Sequence, residues 1–276
     1  MIMKQFNMTR FGRVLMLDFF EGRKAMMWGA LCMLLLYLFF FWFAHNIGVH
    51  DSRFDYNITP AEALRMRMNA ICEGVGVFSA IALFIFFLIT ASTLYRGEQK
   101  KQQRIAWLML PATNLEKFMS RWIYMLAFSI VGGVLPFFVA DGIHMGYLWM
   151  AGNPVVDATS YILEVLPRVS LPYSPLAKVV DIYLVWVTIH SLYLLGGVFF
   201  KKFHFIATTA VFAVAMACIA SVANSLGYRD TPTPPDYIMD NVISIGFSVC
   251  LIALFTWLAY WLFCRWQVVT HKFANV

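Results

Sequence analysis

Long apolar runs alternate with short polar segments along nearly the whole chain. Six of these runs come close to the roughly 20 residues that an α-helix needs to cross a bilayer. The pattern predicts an all-α, polytopic membrane protein, with residues 1–276 forming a single transmembrane domain. The predicted spans are Ala25–Ala44, Val75–Tyr95, Trp122–Ala140, Ile182–Phe200, Phe205–Asn224 and Val242–Cys264.

The segment before the first span has a helical pattern of its own. Apolar residues such as Phe11, Val14 and Phe19 fall on one stripe of residues 6–24, and most charges fall away from it. This pattern predicts an N-terminal helix over residues 1–24 that lies in the inner membrane interface. The alternative is a simple continuation of the first span. No small-residue cleavage site follows that span, so we expect a retained anchor and not a cleaved signal.

Two capping boxes mark helix starts between the spans. Thr59-Pro60-Ala61-Glu62 predicts a helix that leads into the second span. Thr113-Asn114-Leu115-Glu116, directly after Pro111, predicts the start of the helix that becomes the third span. Residues 98–110 are therefore left as a separate short helix. Within the third span, two glycines and Pro136 predict a kink.

Composition excludes a soluble fold. The chain is 61% apolar and 13% charged, whereas soluble domains are about 25% charged. The net charge of +6 does not indicate a nucleic-acid surface, because the charges occupy short caps between apolar runs. No two of the five cysteines form a C-x-x-C pair, so we expect free thiols and neither a metal site nor a disulfide framework.

The distribution of charge predicts the orientation. With a cytoplasmic N-terminus, fifteen of the 21 Lys and Arg residues lie on the inner side and six on the outer side, while four of the 15 acids lie inside. Inner loops of membrane proteins carry the excess of Lys and Arg. Both termini are therefore predicted to be cytoplasmic.

The basic segment 96–121 is the strongest candidate for a partner site. A short helix within it has apolar residues around Trp107, and we expect Ile105, Trp107 and Leu108 to form a contact core for a cytoplasmic partner. The surrounding charges would orient that partner and touch anionic membrane lipid. The alternative is an ordinary positive-inside loop with Trp107 anchored among headgroups. The charged residues assigned to the site are Glu98, Lys100, Lys101 and Arg104.

Small residues recur at intervals of four along the fifth span. Such a stripe lets two membrane helices approach closely. The neighbouring helix belongs either to this chain or to a second copy, and the pattern does not decide between them. The predicted helix-packing residues are Thr209, Ala213, Ala217 and Ser221.

Signs of catalytic chemistry are missing from the sequence. It contains no G-x-x-x-x-G-K-[ST] motif, no H-E-x-x-H and no G-x-S-x-G. We therefore expect no enzyme and no catalytic, cofactor-binding or metal-ligating residue. His190 lies in the fourth span, where an ionisable residue is either functional or bonded across helices. An outer polar cluster is either a solvated loop or a metal site, and it comprises His45, His50, Asp51 and Asp55.

The layout of the basic segment resembles the membrane subunits of ABC-2-type ABC transporters. Residues 94–122 carry the resemblance, and Leu110-Pro111-Ala112-Thr113-Asn114-Leu115-Glu116 matches a family pattern most closely. Glu98 matches the acid that follows the second span in the family, whereas Arg104-Ile105 stands where Gly-Thr is usual. Relatives often have a re-entrant hairpin before the last span, but residues 227–241 are too polar for that feature to be carried over.

The resemblance implies a permease subunit of an exporter in a bacterial inner membrane. It would pair with a second permease copy or a homologous permease, and with separate cytoplasmic ABC ATPase subunits. ATP and magnesium would bind in that partner, and the short helix would be the coupling helix. A different hypothesis is a non-transporting membrane scaffold or sensor that binds a cytoplasmic partner through loop 96–121. A secondary transporter is disfavoured, because few ionisable residues lie deep in the spans.

Overall fold

A computed structural model of the chain describes residues 6–47, 59–95, 101–159, 175–200, 202–225 and 237–265. The regular structure of these residues is helical, which confirms the predicted all-α class. A π-helical segment, Ile130–Val134, joins the fourth and fifth α-helices. The α-helices are α1 Met8–Ile47, α2 Pro60–Thr93, α3 Lys101–Leu108, α4 Asn114–Ser129, α5 Leu135–Met150, α6 Pro175–Phe199, α7 His204–Ser225 and α8 Tyr237–Cys264.

Five helical stretches in the described part of the chain are long and apolar enough to cross a membrane. The chain is therefore a multi-pass membrane protein, as the alternation of apolar and polar segments predicted. A shorter apolar stretch, Tyr183–Phe199, lies within α6. The five long stretches are Met8–Asn46, Ala61–Thr93, Asn114–Met150, His204–Val222 and Ile245–Cys264.

The first helix is much longer than a bilayer is thick. Its 40 residues correspond to about 60 Å at 1.5 Å per residue, against a hydrocarbon core of about 30 Å. It runs without a break through Lys24, where the predicted N-terminal segment meets the predicted first span. This continuity agrees with the alternative hypothesis, in which the N-terminal segment is a continuation of the first span.

Both predicted capping boxes are confirmed as helix starts. The backbone N–H of Thr59 donates to Glu62 Oε2 at 3.2 Å, and α2 begins at Pro60. The backbone N–H of Thr113 donates to Glu116 Oε2 at 2.8 Å, and α4 begins at Asn114. In each case the acid side chain accepts a backbone donor that the helix itself cannot satisfy.

The interruption expected in the third span is a π-helical segment that precedes the proline. The Leu135 N–H donates to Ile130 O, the wider spacing typical of a π turn. The Tyr37 hydroxyl donates to the carbonyl of Gly133 at 3.2 Å. A Cβ at Gly133 would lie 2.7 Å from Leu83 Cδ1. Glycine therefore allows α2 to approach this segment closely.

The described residues divide into two compact units. Unit one comes from Met1–Asp18, Leu88–Met125 and Leu176–Val276, and unit two comes from Phe19–Phe87 and Leu126–Pro175. The core of unit two joins α1, α2 and α5 through fully buried residues such as Tyr37, Cys72 and Ala140. In unit one, a Cβ at Gly197 would lie 2.6 Å from the carbonyl oxygen of Ser92, so α6 meets the end of α2 at backbone distance.

Candidate functional site

The short helix α3 is held in unit one by a buried lysine. Lys117 is 3% exposed, and its Nζ donates to the carbonyl oxygens of Trp107 at 3.0 Å and Leu108 at 3.1 Å. These carbonyls are at the end of α3, where the helix leaves acceptors without partners and where its dipole favours a cation. The Lys117 charge therefore fixes the end of α3 to α4.

Trp107 attaches the same helix through its ring. The indole is 6% exposed and packs edge-on against Phe263 of α8, with ring centroids 5.4 Å apart. Lys117 Nζ and Arg121 Cζ lie 5.5 and 5.4 Å from its centroid, within the range of a cation–π interaction. Trp107 therefore belongs to the interior of unit one.

The three apolar residues predicted as the contact core for a partner, Ile105, Trp107 and Leu108, are not all presented outward. Trp107 is buried, whereas the other two are partly exposed, and their role in binding a partner stays a prediction. Ile105 and Leu108 are 39% and 36% exposed, and the following residue, Met109, is 79% exposed. We call Ile105, Leu108 and Met109 the α3 face, because these apolar side chains are the ones presented outward.

The charged residues predicted for this site are only partly described. Lys101 and Arg104 lie on α3, at its first residue and its middle. Glu98 and Lys100 lie outside the described residues. Their expected roles in orienting a partner stay predictions.

Glu116 ties the start of α4 to the start of α1. Its Oε1 accepts the backbone N–H of Asn7 at 2.7 Å and Nη2 of Arg10 at 3.1 Å, while its Oε2 accepts the capping bond from Thr113 described above. Asn7 in turn caps α1, because its Oδ1 accepts the backbone N–H of Thr9 at 2.9 Å. The Glu116 side chain is 0% exposed. The Glu116 carboxylate thus accepts backbone N–H groups at the starts of both α1 and α4.

A second buried acid joins the same two helices further along. Asp18 accepts a short hydrogen bond from the Ser120 hydroxyl, and its Oδ1 lies 3.2 Å from Arg121 Nε. Its side chain is 0% exposed and that of Arg121 is 11% exposed. Because a buried charge without a partner is costly, this ion pair fixes α1 against α4.

An aromatic cluster beside α3 connects the end of α8 to the same group. Phe263 lies 5.5 Å from Tyr95 and 5.7 Å from Phe118 between ring centroids, and Phe118 lies 5.4 Å from Tyr260. We call this cluster, together with Trp107, Lys117 and the Glu116 and Asp18 ion pairs, the α3 anchor. It combines residues from the N-terminal part of α1, the end of α2, α4 and α8.

The contacts of the α3 anchor hold a short helix in place. Its charges are committed to helix ends and to each other. Among the described residues there is no group of three or more His, Cys, Asp or Glu that could hold a metal ion. The contacts of the anchor therefore connect α3 to α4 and α8, and connect α4 to α1.

The other predicted site residues lie on α6 and α7. The hydroxyls of Thr209 and Tyr193 are 2.7 Å apart, so the first member of the small-residue stripe contacts α6. Ala213, Ala217 and Ser221 are exposed. His190 is buried on α6, at 4% exposure.

At the end of α1, one member of the predicted outer polar cluster is described. His45 pairs with His144 of α5 within unit two, with the two Nε2 atoms 3.1 Å apart. His50, Asp51 and Asp55 lie outside the described residues. Of the four residues predicted as a possible metal site, only His45 can therefore be placed, and it contacts His144.

No protein-family model, no curated protein and no solved structure gives a significant match to this chain. Any functional assignment therefore depends on the geometry of the chain and on the resemblance of its basic segment.

Proposed function

We propose that the chain is the permease subunit of an ABC-2-type exporter in a bacterial inner membrane. It would span the membrane six times, with α6 adding to the five long stretches and with both termini in the cytoplasm. ATP hydrolysis would take place in separate ABC ATPase subunits that bind ATP and magnesium. The single observation that carries this proposal is the α3 face, an exposed apolar patch on a short helix that is anchored by buried charges.

The anchor supports coupling because a coupling element must not move independently of the spans. Lys117 fixes the end of α3 to α4 through two hydrogen bonds, and Trp107 fixes it to α8. A push on Ile105 or Met109 would therefore be passed to helices that enter the membrane. An ordinary positive-inside loop needs no such attachment.

The orientation follows from the charge distribution. The helix α3 lies in the basic segment 96–121, which contains six cations and two acids. Excess Lys and Arg keeps such a segment on the cytoplasmic side. The α3 face would therefore be directed towards the compartment that contains ATP.

The exposed part of the small-residue stripe supports a second permease copy or a homologous permease beside α7. Ala213 and Ala217 are exposed, although small residues on one face favour close helix packing in membranes. In this proposal a helix of the second permease covers them, with lipid around the remaining surface.

The proposal is tested by capture of the full chain from native membranes in a mild detergent. We expect a protein with nucleotide-binding and ABC signature motifs to co-purify. The double variant Ile105→Ala, Met109→Ala should recover about tenfold less of it, because apolar contacts dominate such interfaces. The matched control is Ile206→Ala, Val211→Ala, which removes two residues that are 64% and 57% exposed on α7.

If the α3 variant recovers as much of the ATPase as the parent chain does, docking of the ATPase at the α3 face is contradicted. A captured partner that lacks nucleotide-binding motifs and depends on the same two residues would instead favour the scaffold or sensor hypothesis. Equal losses from the control variant would assign the effect to general disturbance of the membrane helices.

A further inference from the structure

A half-open cavity of about 560 Å³ lies in unit two between the ends of α1 and α5. Its walls are mainly apolar and aromatic, and include Leu38, Phe41, Trp42 and Ile143. Its polar groups include His45 and His144. Cavities of roughly 300–1,000 Å³ with apolar walls and a few polar groups are typical of small-molecule sites.

The two histidines do not satisfy each other completely. With Nε2 atoms 3.1 Å apart, one ring donates and the other accepts a single hydrogen bond. Phe41 stacks on His144, with ring centroids 4.2 Å apart and an angle of 20° between the planes. The ring of His144 is thus held between α1 and α5 at 4% exposure, and its Nδ1 has no hydrogen-bond partner among the described residues.

Arg67 of α2 adds a positive charge near this pair. Its charge acts electrostatically on His45. Its Nε is buried and has no hydrogen-bond partner in the part of the chain that the structure describes. Arg67 as a whole is only partly buried and does not line the cavity, but a buried Nε–H donor without an acceptor carries a free-energy cost, and the charge of the side chain favours an anion near by.

One acid that acts on this pair is committed to other groups. Asp141 also acts on His144 electrostatically, but its carboxylate accepts the backbone N–H groups of Ala158 and Thr159, both at 3.0 Å. The Thr159 hydroxyl donates to it as well, at 2.6 Å. Asp141 therefore anchors residues 158–159 to α5 and forms no hydrogen bond with Arg67 or the histidines.

We propose that this cavity binds an anionic amphipath, a molecule with a carboxylate or phosphate head and a hydrocarbon tail. The head would accept a hydrogen bond from His144 Nδ1, the ring nitrogen without a partner among the described residues, and would be attracted by the positive charge of Arg67 beside the pair. The tail would lie along Leu38, Trp42 and Ile143. The site is at the ends of two predicted spans, the depth at which lipid headgroups and the rings of Trp and Tyr are found. This inference does not depend on the proposed ATPase partner.

The test uses the purified full chain in detergent and native mass spectrometry. Dioleoyl phosphatidylglycerol is titrated against dioleoyl phosphatidylcholine and against inorganic phosphate. We expect one phosphatidylglycerol to be retained with about tenfold preference over phosphatidylcholine, and inorganic phosphate to bind far more weakly, because head and tail both contribute.

Two variants separate the head contacts from the tail contacts. Arg67→Gln should remove the preference for the anionic lipid, whereas Arg65→Gln, exposed on the same helix, should keep it. Ile143→Trp should fill the apolar part of the cavity and lower retention of the lipid without changing any charge. Each variant is compared with the parent chain by its thermal unfolding midpoint, so that loss of folding is recognised.

Three outcomes would overturn the proposal. The first is equal retention of both lipids, which indicates ordinary annular lipid. The second is retention unchanged in both Arg67→Gln and Ile143→Trp. The third is inorganic phosphate binding as tightly as the lipid, which would reduce the site to an anion site without a tail.

Discussion

The α3 anchor and the cavity of unit two differ in how their charged groups are partnered. In the anchor, Asp18, Glu116 and Lys117 are nearly inaccessible and each makes at least two polar contacts. Around the cavity, His144 Nδ1 in its wall and Arg67 Nε on the neighbouring α2 are buried without a hydrogen-bond partner among the described residues; in the anchor the neutral Trp107 Nε1 is too, but none of the three charged groups named above is. Satisfied networks make a structure rigid, whereas unsatisfied buried donors mark a site that is completed by something else.

This difference gives the two regions different expected responses to mutation. Removing a charge from the anchor breaks existing contacts and should lower stability. Removing the Arg67 charge beside the cavity breaks no hydrogen bond that the described residues show, and it should affect ligand binding instead. The predictions below run from the largest expected effect to the smallest.

Asp18→Ala should have the largest effect. It leaves Arg121 and Ser120 without their buried acid, and breaking a buried pair from one side costs about 3–5 kcal/mol. We expect a clearly lower thermal unfolding midpoint in detergent. Glu21→Ala, an exposed acid on the same helix, is the control and should change the midpoint little. Similar losses in the two variants would contradict the role of Asp18 in the anchor.

Glu116→Gln should be the next most destabilising change. The amide keeps the size of the side chain but loses the ion pair with Arg10 and weakens the cap on α4, at a combined cost of about 2 kcal/mol. The control is Glu62→Gln in the other capping box, which is exposed and bonds only within its own box. The unfolding midpoint should fall further for Glu116→Gln; the reverse order would show that the tie to α1 contributes nothing.

Lys117→Met should loosen α3 more than it destabilises the whole chain. The variant keeps the apolar stem and removes both hydrogen bonds to the end of α3, at about 1.5 kcal/mol for a charged donor. Hydrogen exchange of the amides of residues 105–108 should accelerate about tenfold, because the free energy of local opening would fall by about 1.5 kcal/mol. Lys202→Met, an exposed lysine before α7, is the control. Unchanged exchange in Lys117→Met would mean that α3 is held by other contacts.

Arg67→Gln should have the smallest effect on stability. The Nε of Arg67 has no partner to lose among the described residues, so the free energy of unfolding should stay within about 0.5 kcal/mol of the parent. Thermal unfolding in detergent without added lipid is the measurement, and Arg65→Gln is the control. A loss comparable to that of Asp18→Ala would remove the contrast between the two regions.

Much of the fold could be predicted from local signals. Both capping boxes depend on residues three positions apart, so the starts of α2 and α4 were visible in the sequence. The lengths of the apolar runs predicted a multi-pass helical protein. The two glycines and Pro136 indicated an interruption of the third span, and the observed π-helical segment contains both glycines and ends just before the proline. That the interruption is a π turn had no signature in the sequence.

The interior of the candidate site could not be predicted, because its contacts join residues far apart in sequence. Ser120 and Asp18 are 102 positions apart, and Asn7 and Glu116 are 109 positions apart. The same limit explains Trp107. Its apolar character predicted a contact, but only the position of Phe263 on α8 shows that the contact is internal. A usable signal was the presence of acids among the many cations of the segments predicted to lie inside, since an isolated acid there favours an ion pair.

The most direct test of the coupling proposal is a photocrosslinking residue placed at position 109 of the full chain in native membranes. Met109 is 79% exposed beside α3, so the account predicts a covalent adduct with an ABC ATPase subunit. The same residue at position 211 on α7 should give no such adduct. The absence of an ATPase adduct at position 109, or equal adducts at both positions, would contradict the assignment of the α3 face as the coupling surface.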